Sequence, residues 1–183
     1  MTREKHITMK VRSVIVGALV GAFAVSAATP ASAAPGDTTA TVTITGGGLS
    51  ISVPGVTAHL GTRVNTVGAG TISGPLGEVR VDDARSAAAG ATWVASAIST
   101  AFTGQSPALP ATGISYSAGS IAKIGTATYE ANNPSSLVGV APVVSATGIT
   151  GDNAATWTPT LTVQVPGGSV AGTYSAVITH SVL

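Results

Sequence analysis

The sequence predicts an all-β protein, a single antiparallel β-sandwich domain that follows a cleaved signal peptide. Three observations carry that expectation. Apolar residues alternate with Thr, Ser and Gln at period two in five short stretches. Gly and Pro punctuate the chain between them. Helix-forming composition is confined to one Ala-rich segment, too short for the crossover helices of a parallel sheet.

The first 33 residues are read as the signal peptide. Arg3, Lys5, Lys10 and Arg12 form a basic start, an apolar run follows from Val14 to Val25, and Ala31-Ser32-Ala33 supplies the small-x-small cleavage pattern. The apolar run falls short of the ~20 residues a membrane-spanning helix needs. No Arg-Arg pair marks the twin-arginine route, and no Cys is present for lipid attachment. Residues 34–183 are then one exported domain, expected outside the cell or on its wall.

Within that domain the stretches follow in order. "TVTIT" sets Val42 and Ile44 on one face of an expected first strand. "LSISVPG" does the same with Leu49, Ile51 and Val53 and stops at Pro54-Gly55. "EVRVDD" aligns Val79 and Val81. "DDARSAAAGATW" is expected to hold at most a helical turn, capped by Asp82 or Asp83 and ended by Gly90. "TPTLTVQVPGG" aligns Leu161, Val163 and Val165, with Trp157 expected on the same strand face and packed in the core. "TYSAVITHSV" aligns Tyr174, Ala176, Ile178, His180 and Val182. Such strands suit a sheet with one face in the core and the other in water.

Composition narrows the function. Past residue 33 the cations are Arg63, Arg80, Arg85 and Lys123, against the anions Asp37, Glu78, Asp82, Asp83, Glu130 and Asp152, so four against six leaves −2. The +1 of the whole chain therefore belongs to the signal peptide. No basic patch collects nucleic acid phosphates. The domain has no Cys and must hold by packing and backbone hydrogen bonds, which a ~150-residue domain can do by burying roughly 70% of its unfolded surface.

Three blocks resemble the WxL domain of Gram-positive surface proteins. "GGGLSISVPGVTAHLG" is similar to its opening strand, which ends at Val-Pro and leads toward a Leu-Gly. "VRVDDARSAAAGATWV" resembles its central element, with Asp83, Arg85 and Trp93 in the matching places. "VPGGSVAGTYSAVITHSV" is similar to the closing segment, where Ala-Gly-x-Tyr leads into a last strand. The blocks occur in the family's order and span nearly all of residues 34–183. The chain departs from the family's Trp-x-Leu signatures: Trp93-Val94-Ala95 has Ala for Leu, and the last strand carries His180 where the family has Trp. The resemblance implies a β-sandwich and non-covalent association with cell-wall peptidoglycan or surface proteins; because no catalytic or ligand motif assembles in the residues themselves, no enzymatic activity, metal or cofactor is expected.

The candidate ligand contacts are Trp93, Asp83, Arg85, Tyr174 and His180. An indole can stack on the apolar face of a sugar, but core packing is the commoner fate of Trp and is the expectation favoured for Trp93 and Trp157 alike. Asp83 and Arg85 lie two apart on an extended chain and are expected to pair. The hydroxyl of Tyr174 is expected to find a backbone partner at a corner of the sandwich. His59 and His180 are the only histidines after residue 33, and neither has a second His at metal-ligand spacing. His180 reads as a satisfied, partly buried residue. A calcium site from Glu78, Asp82 and Asp83 lacks a ligand loop. No GxSxG or HExxH motif occurs, and no catalytic residues are assigned.

"LPATG" at Leu109–Gly113 matches the pentapeptide that sortases use for wall attachment. Seventy residues with strand character follow it, so cleavage after Thr112 would cut the domain in two. The motif is read as a turn, with Pro110 and Gly113 as its punctuation, and attachment to the wall is expected to be non-covalent.

Overall fold

A computed structural model describes residues 40–183. The expected signal peptide, residues 1–33, and the six residues after it lie outside the described residues. Val42–Leu183 forms one compact unit.

The unit is an all-β sandwich. Its strands are β1 (Leu49–Ser52), β2 (Gly70–Pro75), β3 (Val79–Ser99), β4 (Ile114–Ser117), β5 (Ile121–Ala131), β6 (Ala141–Trp157), β7 (Thr160–Val165) and β8 (Ile178–Val182). One sheet has the order β1-β3-β6-β5, with β8 also on β3; the other has the order β2-β7-β4. All pairings are antiparallel. The two-residue link Thr158-Pro159 carries the chain from one sheet to the other.

Period-two alternation explains the core. Val79, Val81, Ala95 and Ala97 of β3, Ala146, Ala155 and Trp157 of β6, and Leu161 and Val163 of β7 are all buried, with Ile114 and Tyr116 of β4 closing the second layer. Trp157 is buried as expected, but on a different strand from Leu161. It ends β6, and Leu161 lies on β7 in the facing sheet, so the two meet the core from opposite sides.

Two further expectations are corrected. Val42 and Ile44 belong to no strand and are 89% and 84% exposed. Strand-like alternation fixes which face is apolar, but a strand also needs a neighbour to bond, and none lies alongside among the described residues. The Ala-rich segment forms no helical turn. It runs inside the 21-residue β3, where pairing with β6 overrides helix propensity. The five β3 residues from Asp83 to Ala87 span only the three β6 residues from Asn153 to Gly151, and those from Ala87 to Ala91 likewise span only Gly151 to Ile149. The surplus residues bulge out, with Ser86 (φ 51°) and Gly90 (φ 89°) in the left-handed region that such bulges use. The small Ala and Gly side chains leave that excursion free of clashes.

Candidate functional site

The sequence candidates fall into two places. Asp83, Arg85 and Trp93 flank the β3 bulge and meet in one network. Tyr174 and His180 lie apart from it, on a groove.

In the network the Asp83 side chain has no exposed surface, and Arg85 retains 35%. The pair is bidentate: Arg85 Nε donates to Oδ1 at 2.8 Å and Nη2 to Oδ2 at 2.9 Å. Arg85 also gives its backbone N–H to Oδ1 at 3.2 Å and an Nη2 proton to the Thr92 carbonyl at 3.2 Å. The guanidinium thus ties the two rims of the bulge together. Asn153, opposite Asp83 on β6, donates from Nδ2 to Asp83 Oδ2 at 3.0 Å. Its Oδ1 accepts from Trp93 Nε1 at 3.0 Å and from Tyr129 Oη at 3.0 Å. Trp93 and Tyr129 also pack ring against ring, centroids 5.6 Å apart and tilted by 53°. The hydrogen bonds from Arg85 hold the Asp83 carboxyl below its ordinary value, outweighing the burial that would raise it. Asp152 caps the outside of the bulge by accepting from Ser86 N at 2.8 Å and Ser86 Oγ at 3.1 Å.

This geometry decides what those residues can do. Trp93 is 1% exposed and its N–H is spent on Asn153, so its indole offers no face to a sugar. Asp83 offers no free carboxylate oxygen to a ligand. Asp82, its neighbour, points to the other face and pairs with Arg80, so the acidic residues of this stretch do not converge on a cation. Among the described residues no group of three His, Cys, Asp or Glu side chains could hold a metal ion. Asn153 and Tyr129 are full members of the network, but neither was singled out from sequence. They stand 70 and 46 positions from Asp83, and only strand register brings them to it.

The second place is a groove of about 700 Å³ on the side of the sandwich where β1, β2 and β8 lie. The connection from β1 to β2 forms one wall and the connection from β7 to β8 the other, and Asn65 Nδ2 bonds the Ser169 carbonyl at 2.7 Å to strap them together. The first wall lies close under β2: a Cβ on Gly74 would fall 2.5 Å from the Leu60 carbonyl oxygen, so only Gly fits. The floor is apolar, from Ile72, Phe102, Val165 and Ile178. Tyr174 lines it with its ring and donates its hydroxyl to the Val170 carbonyl, four residues back, at 2.8 Å. That is the backbone partner expected for it, at a corner of the sandwich.

His180 reaches the groove from β8. Trp157 Nε1 donates to Tyr116 Oη at 2.8 Å, and Tyr116 Oη and His180 Nε2 share a hydrogen bond at 3.2 Å. Burial lowers the His180 pKa and pushes that of Tyr116 up. His180 is a member of a Trp-Tyr-His chain that bridges the two sheets.

"LPATG" sits inside the domain. Leu109 is buried and exchanges backbone bonds with Phe102 at 2.9 Å in both directions, and Ala111–Gly113 is a 3-10 turn that leads into β4. Cleavage after Thr112 would sever β1–β3 from β4–β8.

Fold and sites together define an all-β sandwich with an internally satisfied polar network and an open apolar groove. No family model, curated protein or solved structure matches the chain. Among the described residues no helix is long and apolar enough to cross a membrane.

Proposed function

We propose that the protein is a secreted, non-enzymatic component of the cell envelope, a divergent WxL-like domain that associates non-covalently with the cell wall. One observation carries the reading. The ionised and aromatic side chains that sequence put forward for chemistry or ligand contact are engaged within the fold: Asp83 with Arg85 and Asn153, Trp93 with Asn153, His180 with Tyr116, Tyr174 with Val170. Chemistry needs a nucleophile or base free to meet substrate. Part of what faces solvent is rich in hydroxyls. Thr126 and Thr128 of β5 lie opposite Thr150 and Thr147 of β6, all four exposed. Such a face can exchange hydrogen bonds with a neutral polysaccharide over a wide area.

The test is sedimentation of the protein with purified cell walls at physiological salt. The chain is expected in the pellet, and Thr126→Lys with Thr150→Lys is expected to move it to the supernatant. A wild-type chain that stays in solution refutes the proposal. A second reading, a structural or adhesive module acting through protein partners or self-assembly, is favoured by the unpaired outer edges of β2 and β8.

A further inference from the structure

The groove has an apolar length and a charged end. Its first wall, the connection from β1 to β2, runs antiparallel to β2: Pro54 lies beside Gly77, Leu60 beside Gly74, Gly61 beside Ile72 and Arg63 beside Gly70. Gly70, Ile72 and Gly74 alternate with the exposed Thr71, Ser73 and Pro75, so they share the inner face of the strand. The Arg63 guanidinium occupies the place that a side chain at residue 70 would take on that face, in line with Ile72. Its Nη2 donates to Thr66 Oγ1 at 2.9 Å, which holds the head in position. Among the described residues no carboxylate pairs with it: the ion pairs are Arg80–Asp82 and Arg85–Asp83. The residues that line the groove include His59 and His180 as well as Arg63, and no Asp or Glu. Residues 34–183 carry more acidic than basic side chains, so the groove is a local exception in charge.

We propose that the groove binds one long-chain carboxylate, with its head on the Arg63 guanidinium and its tail along Ile72 and Val165. Among the described residues only Nη2 of Arg63 is engaged, so the planar fork keeps N–H donors for a carboxylate. The tail displaces water from a floor of Ile72, Phe102, Val165 and Ile178. β2 has six residues, about 20 Å of strand. An extended alkyl chain advances about 1.25 Å per carbon, the projection of a bond of about 1.5 Å, so about 16 carbons run the length of β2 from Arg63 toward Leu76 and Pro54. At ~30 Å³ per methylene, about a water's share of the liquid, one such chain takes roughly 500 Å³. The groove holds about 700 Å³, which leaves too little for a second chain. Charge and polarity decide against other occupants. A glycan would bring hydroxyls to a floor without polar side chains. The segment of residues 40–48, from this copy or another, carries no charge and would cover Arg63 without giving its cation a partner. A long-chain carboxylate supplies both the apolar length and the anion.

The proposal does not rest on wall binding, and its test uses no cell wall. Titration calorimetry of the purified chain with straight-chain carboxylates, below their micelle concentrations, reads the affinity. Kd is expected to fall about fourfold per added methylene and to level off near 16 carbons. The alcohol of equal length lacks the charge and is expected to bind about tenfold more weakly. Arg63→Gln is expected to bring the carboxylate to the alcohol's affinity and to leave the alcohol unchanged, which shows the groove intact. Gly70→Ala keeps every charge but puts a methyl where the guanidinium lies; it is expected to weaken the carboxylate and not the alcohol. No binding at about 1 mM overturns the proposal, as do equal affinities for acid and alcohol. Affinity that stops rising below about 10 carbons also overturns it, since the tail would then not follow β2. So does tighter carboxylate binding after Val42→Ser with Ile44→Ser, because residues 40–48 of this or another copy would then be the occupant.

Discussion

Replacing Asp83 by Ala removes the centre of the network and tests whether these residues hold the fold or hold a ligand. Four contacts go at once: two from the Arg85 guanidinium, one from its backbone and one from Asn153. Their costs do not sum. Arg85 keeps 35% of its side chain in water and the Thr92 carbonyl as a partner, so its charge is re-solvated. Asn153 is buried, and its amide N–H is left without an acceptor at ~1–3 kcal/mol. With the lost charge-assisted bonds, the expected cost is about 3 kcal/mol, a large share of the 5–15 kcal/mol typical of a domain. For ~150 residues that lowers Tm by roughly 6–12 °C. Urea unfolding read by fluorescence measures it, because both Trp residues are buried in the native state. In a cycle with Arg85→Ala the double variant is expected to cost little more than Asp83→Ala alone. The pH dependence has a fixed sign. The folded pKa of Asp83 lies below its unfolded value, so its contribution is complete above about pH 4 and is lost as pH falls through the folded value. Asp83→Asn removes that part of the acid limb. A cost under ~0.5 kcal/mol, or lost wall binding at unchanged stability, refutes the structural reading.

Two further substitutions separate structure from binding. Trp93→Phe keeps a ring against Tyr129 but loses the N–H to Asn153; it is expected to cost ~1–2 kcal/mol in urea unfolding and to leave sedimentation with cell walls unchanged. His180 is favoured in its neutral form when folded, so the unfolded chain takes up the proton first. Stability is therefore complete above about pH 6.5 and declines as pH falls through the lower folded value. His180→Leu is expected to flatten unfolding free energy between pH 7 and 5, and a slope equal to wild type would count against the buried, neutral imidazole.

Legibility in the sequence tracked how local each signal was. Val79 and Val81, or Leu161 and Val163, alternate within one strand, and their burial follows from that alone. Asp83 and Arg85 are two apart, so their pairing was visible as well. β5 was not: in "IAKIGTATYEA" Lys123, Gly125 and the outward Ile124 blur the alternation, because an edge strand with a solvated face has few side chains to bury. Pairing is non-local, so it left no mark on Asn153 or Tyr129. The same blindness runs the other way at Val42 and Ile44, where alternation is strong and the described residues supply no partner. The Ala run shows propensity losing to position: 84–91 lies between two halves of a strand already committed to β6.

β3 has a further consequence for how the molecule assembles in time. Its first half takes β1 along one edge, and its second half takes β8 along that same edge, so the earliest and latest strands of the domain lie end to end on a common seam. Half of that seam stays open until the final residues arrive. Contacts this distant in sequence make folding slow, on a scale of milliseconds to seconds. A chain emerging from its N-terminus can therefore complete the sheet β2-β7-β4 but not the larger one before its last strand is free.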